Sequence, residues 1–159
     1  MFLKPDFNLN SIYDIDFEKL KEIGIVALFF DLDSTLMKSK SGVFSSQTLN
    51  YLEKLKSDFK LAIISNNKNL NYIERAKSQT DIKIYYKAAK PSPKMILKAC
   101  SDFDITPKQC AMIGDRPLSD IWAGVRAGST TILVDSISKD EETKIVRFAR
   151  FLERLSIKT

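Results

Sequence analysis

Five short apolar runs, at residues 25–30, 61–64, 82–86, 111–113 and 131–134, restrict the fold of this chain more than any other feature. Each is continuous rather than alternating, and rich in β-branched or aromatic residues. A strand with one wet face alternates apolar and polar side chains; a continuous run needs cover on both faces, as in a parallel sheet. Helical patterns fill the gaps. Residues 48–55 carry Leu49, Leu52 and Leu55, and residues 70–76 supply a shorter pattern. Ser92 reads as an N-cap with Pro93 at the first helical position, ahead of Ile96, Leu97, Ala99, Cys100 and Phe103. Pro117 opens another helix, with Ile121, Trp122 and Val125 directed inward and Gly128 as its stop. Strand alternating with helix predicts right-handed βαβ crossovers. The expected fold is α/β: a three-layer, Rossmann-like sandwich on a five-stranded, mainly parallel sheet. No linker, repeat or low-complexity tract divides the chain. Residues 1–159 therefore read as one domain, with 1–23 as an N-terminal extension and 139–159 as a C-terminal helix packed on it.

All strands of a parallel sheet end on one edge, and here a polar cluster follows each run. DLDST comes after the first, SNNKN after the second, KAAKPS after the third, GDRPLSD after the fourth and DSIS after the fifth. The fold thereby gathers Asp31, Asp33, Asp115, Asp120, Ser65, Asn66 and Lys90 in the crevice where open α/β sheets bind ligands. Several carboxylates brought together repel one another unless a cation joins them. A hard divalent ion with oxygen ligands meets that need, and Mg²⁺ is the usual choice where phosphate is also bound. Ser65, the amides after it and Lys90 supply what a phosphoryl group requires. Taken singly, each residue has an ordinary explanation. Asp-rich turns follow many strands, Lys90 suits a surface, and Asp120 suits a helix N-terminus. Only the joint pattern points to chemistry.

The chain contains no His, which removes His general bases, Ser-His-Asp triads and most zinc sites. Its two cysteines, Cys100 and Cys110, form no metal pattern and no disulfide scaffold, which suits a reducing compartment. Twenty-five Lys and Arg against 20 Asp and Glu give a net charge of +5. That excess suits an anionic partner, a phosphorylated substrate or a membrane surface; a lysine-rich solvated surface is the simpler account. No apolar run is long enough to span a bilayer, and acids interrupt the N-terminal residues, unlike a signal peptide. A cytoplasmic protein is expected, with no nucleic-acid partner.

In this arrangement the chain resembles the haloacid dehalogenase (HAD) superfamily of phosphotransferases. DLDST at 31–35 matches its first motif, Ser65 its second, Lys90 its third and GDRPLSD at 114–120 its fourth, in the right order and at strand ends. The nearest branch is subfamily IIIA, the YqeG-like phosphatases, which includes phosphatidylglycerophosphate phosphatases. IISNN, KAAKPSPK and STTILV support that placement, whereas Ser34 and Val125 stand where the branch carries Asn. Together with the chemistry, the resemblance implies an Mg²⁺-dependent phosphomonoester hydrolase. Asp31 is the expected nucleophile, forming an aspartyl-phosphate. Asp33, two residues on, is the expected acid and base, its carboxylate standing clear of the metal. The metal is expected on Asp31, the Asp33 backbone carbonyl and Asp115, with Asp120 supporting. Lys90 would balance charge between Asp31 and phosphate, and Thr35, Ser65 and Asn66 would shape the phosphate cradle.

Rival readings fit less well. CAMIGDR at 110–116 has the Cys-x5-Arg spacing of cysteine phosphatases, but Cys110 begins an apolar strand, and Asp115 inside the loop would repel phosphate. No GxGxxG or GxxxxGK[ST] marks a nucleotide site. A response-regulator receiver also clusters acids and a Lys, but spreads them over different strands. A non-catalytic scaffold of the same fold stays open. So does a soluble phosphorylated metabolite or protein as substrate.

About thirty residues separate Asp33 from Ser65, and about twenty-five separate Ser65 from Lys90, each gap containing a helix. Neither holds a cap domain, and residues 37–46 suffice only for a small flap. An open site suits a large or membrane-borne ester, such as a membrane phospholipid. Phe2, Leu3, Phe7, Leu9 and Ile12 offer a peripheral membrane contact, although packing on the sheet accounts for them more simply. A final helix, from about residue 141 to 155, aligns Ile145, Phe148, Ala149, Leu152 and Leu155 for docking on the domain.

Overall fold

Strand β2 (Ala27–Phe30) has no exposed residue, because both of its faces are covered. In the computed structural model, which describes residues 3–140, 142–155 and 157, β2 lies inside a six-stranded sheet. The other strands are β1 (Phe7–Asn8), β3 (Lys60–Ile64), β4 (Lys83–Tyr85), β5 (Cys110–Gly114) and β6 (Thr130–Leu133). Their order is β1-β6-β5-β2-β3-β4, and every pairing is parallel. Leu28 and Phe30 join a core with Leu20, Leu52, Leu55, Ile73 and Ala76. Ala27 and Phe29 face the opposite core with Ile96, Ala99, Ala123 and Ala127. Helices α1 (Phe17–Glu22), α2 (Ser46–Leu55) and α3 (Leu70–Lys77) thus cover one face, and α4 (Lys94–Asp102) and α5 (Trp122–Ala127) the other. The expected three layers are present.

The strand expectation was one short. Phe7 and Asn8 pair with Ile132 and Leu133, adding an edge strand too short and too polar to leave a periodic signal. Asp6 anchors it: its carboxylate accepts from the Thr131 amide at 2.8 Å and the Thr131 hydroxyl at 3.1 Å. Leu3 and Ile12 are buried, so these apolar N-terminal residues pack on the domain; Phe2 lies outside the described residues. Helix α4 starts one residue later than expected, with Pro93 at the cap. Helix α5 ends at Gly128, whose φ of 83° is the left-handed stop expected there. Val125 was expected inward and is exposed instead. Between β2 and β3, and between β3 and β4, the chain holds only loops and helices α2 and α3, with no inserted domain. Residues 37–44 form a tight flap closed by a Met37–Phe44 bridge.

Helix α6 (Lys144–Leu155) departs most from expectation. Glu141, its expected first residue, lies outside the described residues. Ile145, Phe148, Ala149, Leu152 and Leu155 do not dock; they face solvent. The helix meets the domain through Arg150, Glu153 and Arg154, which pair with Asp115, Arg116 and Asp135. The reason is the surface it lies against. Helices α1 to α5 already cover both apolar sheet faces, and what remains is the charged strand-end edge.

Packing of α5 on the sheet depends on Gly124. A Cβ there would come within 2.6 Å of Thr131 Cγ2 and 3.1 Å of Met112 Cβ. Alanine gains about 1 kcal/mol in helix propensity, but overpacking a dry contact costs about 1–3 kcal/mol. Gly124→Ala should therefore lower stability, by about 1 kcal/mol net, in urea denaturation. An unchanged or raised midpoint would show that the sheet gives way there.

Candidate active site

Strand order reverses at β2, which pairs with β3 on one side and β5 on the other. Its C-terminal end is thus the switch point of the sheet, where an open α/β fold leaves a crevice. Asp31 follows directly, and its amide extends the ladder by donating to Ile113 O at 2.9 Å. Asp115 follows β5, and Asp120 comes from the π-helical turn Pro117–Ile121. Carboxylate oxygens of Asp31, Asp115 and Asp120 lie within 4.8 Å of one another, and all three residues are buried. Asp120 comes this close because Gly114 has no side chain; a Cβ there would collide with its carboxylate. The Arg116 amide donates to Asp120 Oδ2 at 3.1 Å and fixes its other oxygen.

The buried Lys90 ammonium stands between these acids. It donates to Asp31 Oδ1 and Asp120 Oδ1, each at 2.7 Å, and to Ile64 O at 2.6 Å, spending all three protons. It sits in the loop after β4 rather than at the strand end, and Asn66 positions it. The Lys90 amide donates to Asn66 Oδ1 at 2.7 Å, and Asn66 Nδ2 donates to Lys90 O at 3.1 Å. The Thr35 hydroxyl donates to Asp115 Oδ1 at 3.0 Å and lies 3.4 Å from Asp31 Oδ2. Ser65 is buried at the end of β3, where its hydroxyl accepts from the Asn67 amide at 3.1 Å.

Asp33 stands apart from the three clustered acids. Residues two apart on an extended strand share a face, so the separation comes from the turn after Asp31, where the Thr35, Leu36 and Met37 amides donate to Leu32 O. The Asp33 carboxylate accepts from the Tyr72 hydroxyl and, at 3.3 Å, from Asn67 Nδ2. Neither partner was expected from sequence. Asn67 had a signal, lying in the SNN cluster after β3; Tyr72 is an ordinary helix residue brought there by α3. Ser34 between the acids has φ of 68°, a left-handed backbone that Asn adopts more readily. Its hydroxyl donates to Ser138 at 3.1 Å, and its carbonyl accepts from Ile137, tying the turn to the loop after β6.

Arg150 of α6 is a further cation that the sequence did not reveal. It pairs with Asp115, and its Nε lies 2.7 Å from Glu142 Oε1, out of line for a hydrogen bond. Even with Lys90 and Arg150 present, burial and then the Asp120 charge push the Asp31 carboxyl well above the usual range. The same two causes, in the same order, push up Asp115, against the pull of Arg150. Burial opposes the charge on Lys90, but Asp120 and Asp31 outweigh it and raise its pKa. The donor set is three carboxylates with no nitrogen or sulfur ligand. That is oxygen chemistry suited to a hard divalent cation.

Cys110 is fully buried, 3.6 Å from Cys100 Sγ. The Cys100 contact and then burial push its thiol up, away from the thiolate a cysteine phosphatase needs.

The profile of the HAD-hydrolase-like family matches residues 87–154. A probable phosphatase from Bacillus subtilis, YqeG, is 32% identical over 96% of this chain and 88% of its own length. The chloroplastic/mitochondrial phosphatidylglycerophosphate phosphatase 1 of Arabidopsis thaliana is 29% identical over 99% of this chain, which spans 48% of that protein. Among solved structures, a Listeria monocytogenes protein superposes with a TM-score of 0.58 at 17% identity, covering 82% of this chain and 99% of its own. The cobalt-bound deoxy-D-mannose-octulosonate 8-phosphate phosphatase of Haemophilus influenzae gives 0.54 at 17% identity, covering 73% of this chain and 70% of its own. These structural likenesses are likenesses of fold.

Crowded carboxylates cost stability, and the sign is testable. A carboxyl raised in the folded state contributes stability at low pH and loses it as pH rises through the folded pKa. With chelator present, Asp31→Asn should be at least as stable as the unsubstituted protein, with an advantage that grows as pH rises. Chemical denaturation at several pH values checks this; an advantage that shrinks on raising the pH would contradict it.

Proposed function

Because the chain belongs to the HAD-like hydrolase family, as a phosphatase of the YqeG type, we propose that it is a single phosphatase domain that hydrolyses phosphomonoesters through an aspartyl-phosphate on Asp31, with Mg²⁺ as cofactor. The observation that carries this reading is the meeting of Asp31, Asp115 and Asp120 with Lys90 at the sheet's switch point. In the first step an Asp31 oxygen forms a bond to phosphorus while the bond to the ester oxygen breaks. Asp33, oriented by Tyr72 and Asn67, gives that oxygen a proton. In the second step Asp33 takes a proton from water, the water oxygen bonds to phosphorus, and Asp31 leaves. Two carboxylates thus serve two roles because their surroundings differ: Asp31 faces a buried ammonium, Asp33 a phenol and an amide. Lys90 orients Asp31 and favours its charged form, with Thr35, Ser65 and Asn66 around the phosphoryl group. Asp31, Asp115, the Asp33 backbone carbonyl and a supporting Asp120 would hold Mg²⁺, whose charge when bound offsets that of nucleophile and phosphoryl oxygens.

The substrate class we favour is a phosphate carried at a membrane surface, as on phosphatidylglycerophosphate. The Arabidopsis relative supports it, as does the absence of any inserted domain over the crevice among the described residues. No helix among the described residues is long and apolar enough to cross a membrane, so contact would be peripheral.

Turnover should require Mg²⁺ and fall by about a thousandfold or more in Asp31→Asn, whereas Cys110→Ser should keep most activity. Full activity in EDTA or in Asp31→Asn would refute the mechanism, and loss of activity in Cys110→Ser alone would favour the cysteine chemistry. For the substrate, kcat/KM on phosphatidylglycerophosphate in mixed micelles should exceed that on soluble sugar phosphates. An equal or better soluble substrate would remove the lipid assignment and leave the phosphatase.

A further inference from the structure

Helix α6 turns an apolar face to water. Ile145 keeps 82% of its surface exposed, Phe148 61%, Phe151 57% and Leu155 58%, with Leu152 half-exposed beside them. Phe148 and Phe151 stack, with ring centroids 6.5 Å apart. Twelve residues make a rod about 18 Å long, so this is one continuous patch rather than scattered residues. Opposite it, Arg150, Glu153 and Arg154 hold the helix against Asp115, Arg116 and Asp135. Its apolar side therefore points away from the domain, on the edge that carries the candidate site.

Charge decides what fits this face. Lys144 and Arg147 border it, both exposed and without an ion pair among the described residues. Beside the helix, a cavity of about 320 Å³ is lined by Lys139, Arg147, Arg150 and Arg154 against the acids Asp135 and Glu142. Apolar aromatic residues bordered by long cations, beside a pocket with excess positive charge, suit an interface of acyl chains and anionic headgroups. A second copy of the chain fits less well. Glu153 faces Arg116, and of the described acids near the start of the helix only Asp140 is exposed without an ion pair, so paired copies would bring cation against cation.

We propose that α6 is an interfacial helix that docks the protein on an anionic lipid bilayer, with Phe148 and Phe151 entering the acyl boundary and Lys144, Arg147 and Lys139 meeting the headgroups. Docking turns the strand-end edge, and with it Asp31, toward the membrane surface. This extends the lipid-phosphate reading, which it rests on for its purpose, but it is tested by binding, which needs no turnover.

The experiment is co-sedimentation of the full chain with vesicles of phosphatidylcholine alone or mixed with phosphatidylglycerol. Binding should favour the phosphatidylglycerol vesicles and weaken with added salt. The double variant F148S/F151S should lose about tenfold or more in partitioning, while its thermal melt by circular dichroism stays unchanged. K144E/R147E should lose the preference for phosphatidylglycerol. Failure of the unsubstituted protein to bind these vesicles, or equal binding by F148S/F151S, overturns the proposal. So does a dimer in sedimentation velocity that F148S/F151S dissolves, since the occupant is then a second copy. Vesicle binding as expected without turnover of any phosphomonoester leaves the docking helix standing and rejects the phosphatase mechanism instead.

Discussion

The Lys90 ammonium is the contact on which the functional end of this protein depends. It is buried, and it reaches acceptors from three separate segments: Asp31 after β2, Ile64 O at the end of β3 and Asp120 in the turn after β5. A buried ammonium is tolerable only when its protons are spent, and buried carboxylates only when something offsets their charge. Each side supplies what the other needs. The strand ends are joined by a polar knot that neither the apolar cores nor the backbone ladder would provide.

Around that knot the protein sorts its acids by surroundings. Asp31, Asp115 and Asp120 share one dry, crowded place, in which burial and then the Asp120 charge disfavour ionisation of Asp31 and Asp115. Such crowding is a standing cost in the protein by itself, and it is the reason the cluster suits a divalent cation. Asp33 lies two residues from Asp31 in sequence, yet it faces Tyr72 and Asn67, because the chain leaves the strand after Asp31 and turns about Leu32 O and the left-handed Ser34. Proximity in sequence and difference in environment together let two carboxylates of one turn take the different tasks proposed for them.

The same edge determines how α6 sits. Its polar residues find Asp115, Arg116 and Asp135, so its apolar residues are turned outward. An amphipathic helix usually signals a buried apolar face. Here that face has no core to join, because the sheet is already covered on both sides. What reads in sequence as a docking stripe becomes the largest apolar feature on the helix's exposed side.

The amino-acid sequence alone determined the layered α/β architecture. Continuous apolar runs must be covered on both faces, and polar clusters after every run must meet at one edge of a parallel sheet. Asp31 and Asp115 were nameable because they directly follow strands, and Asp120 and Lys90 because they lie in the polar clusters that follow β5 and β4. Tertiary structure alone decided the rest. The edge strand at Phe7 depends on Asp6 reaching Thr131, 125 residues away. Tyr72 and Arg150 came to the site by helix placement and Glu142 by the bend ahead of α6, and no local pattern encodes such long-range contacts. The outward turn of α6 was decided by which surfaces the other helices had already taken, because an amphipathic pattern specifies that a helix has an apolar side but not what remains for that side to touch.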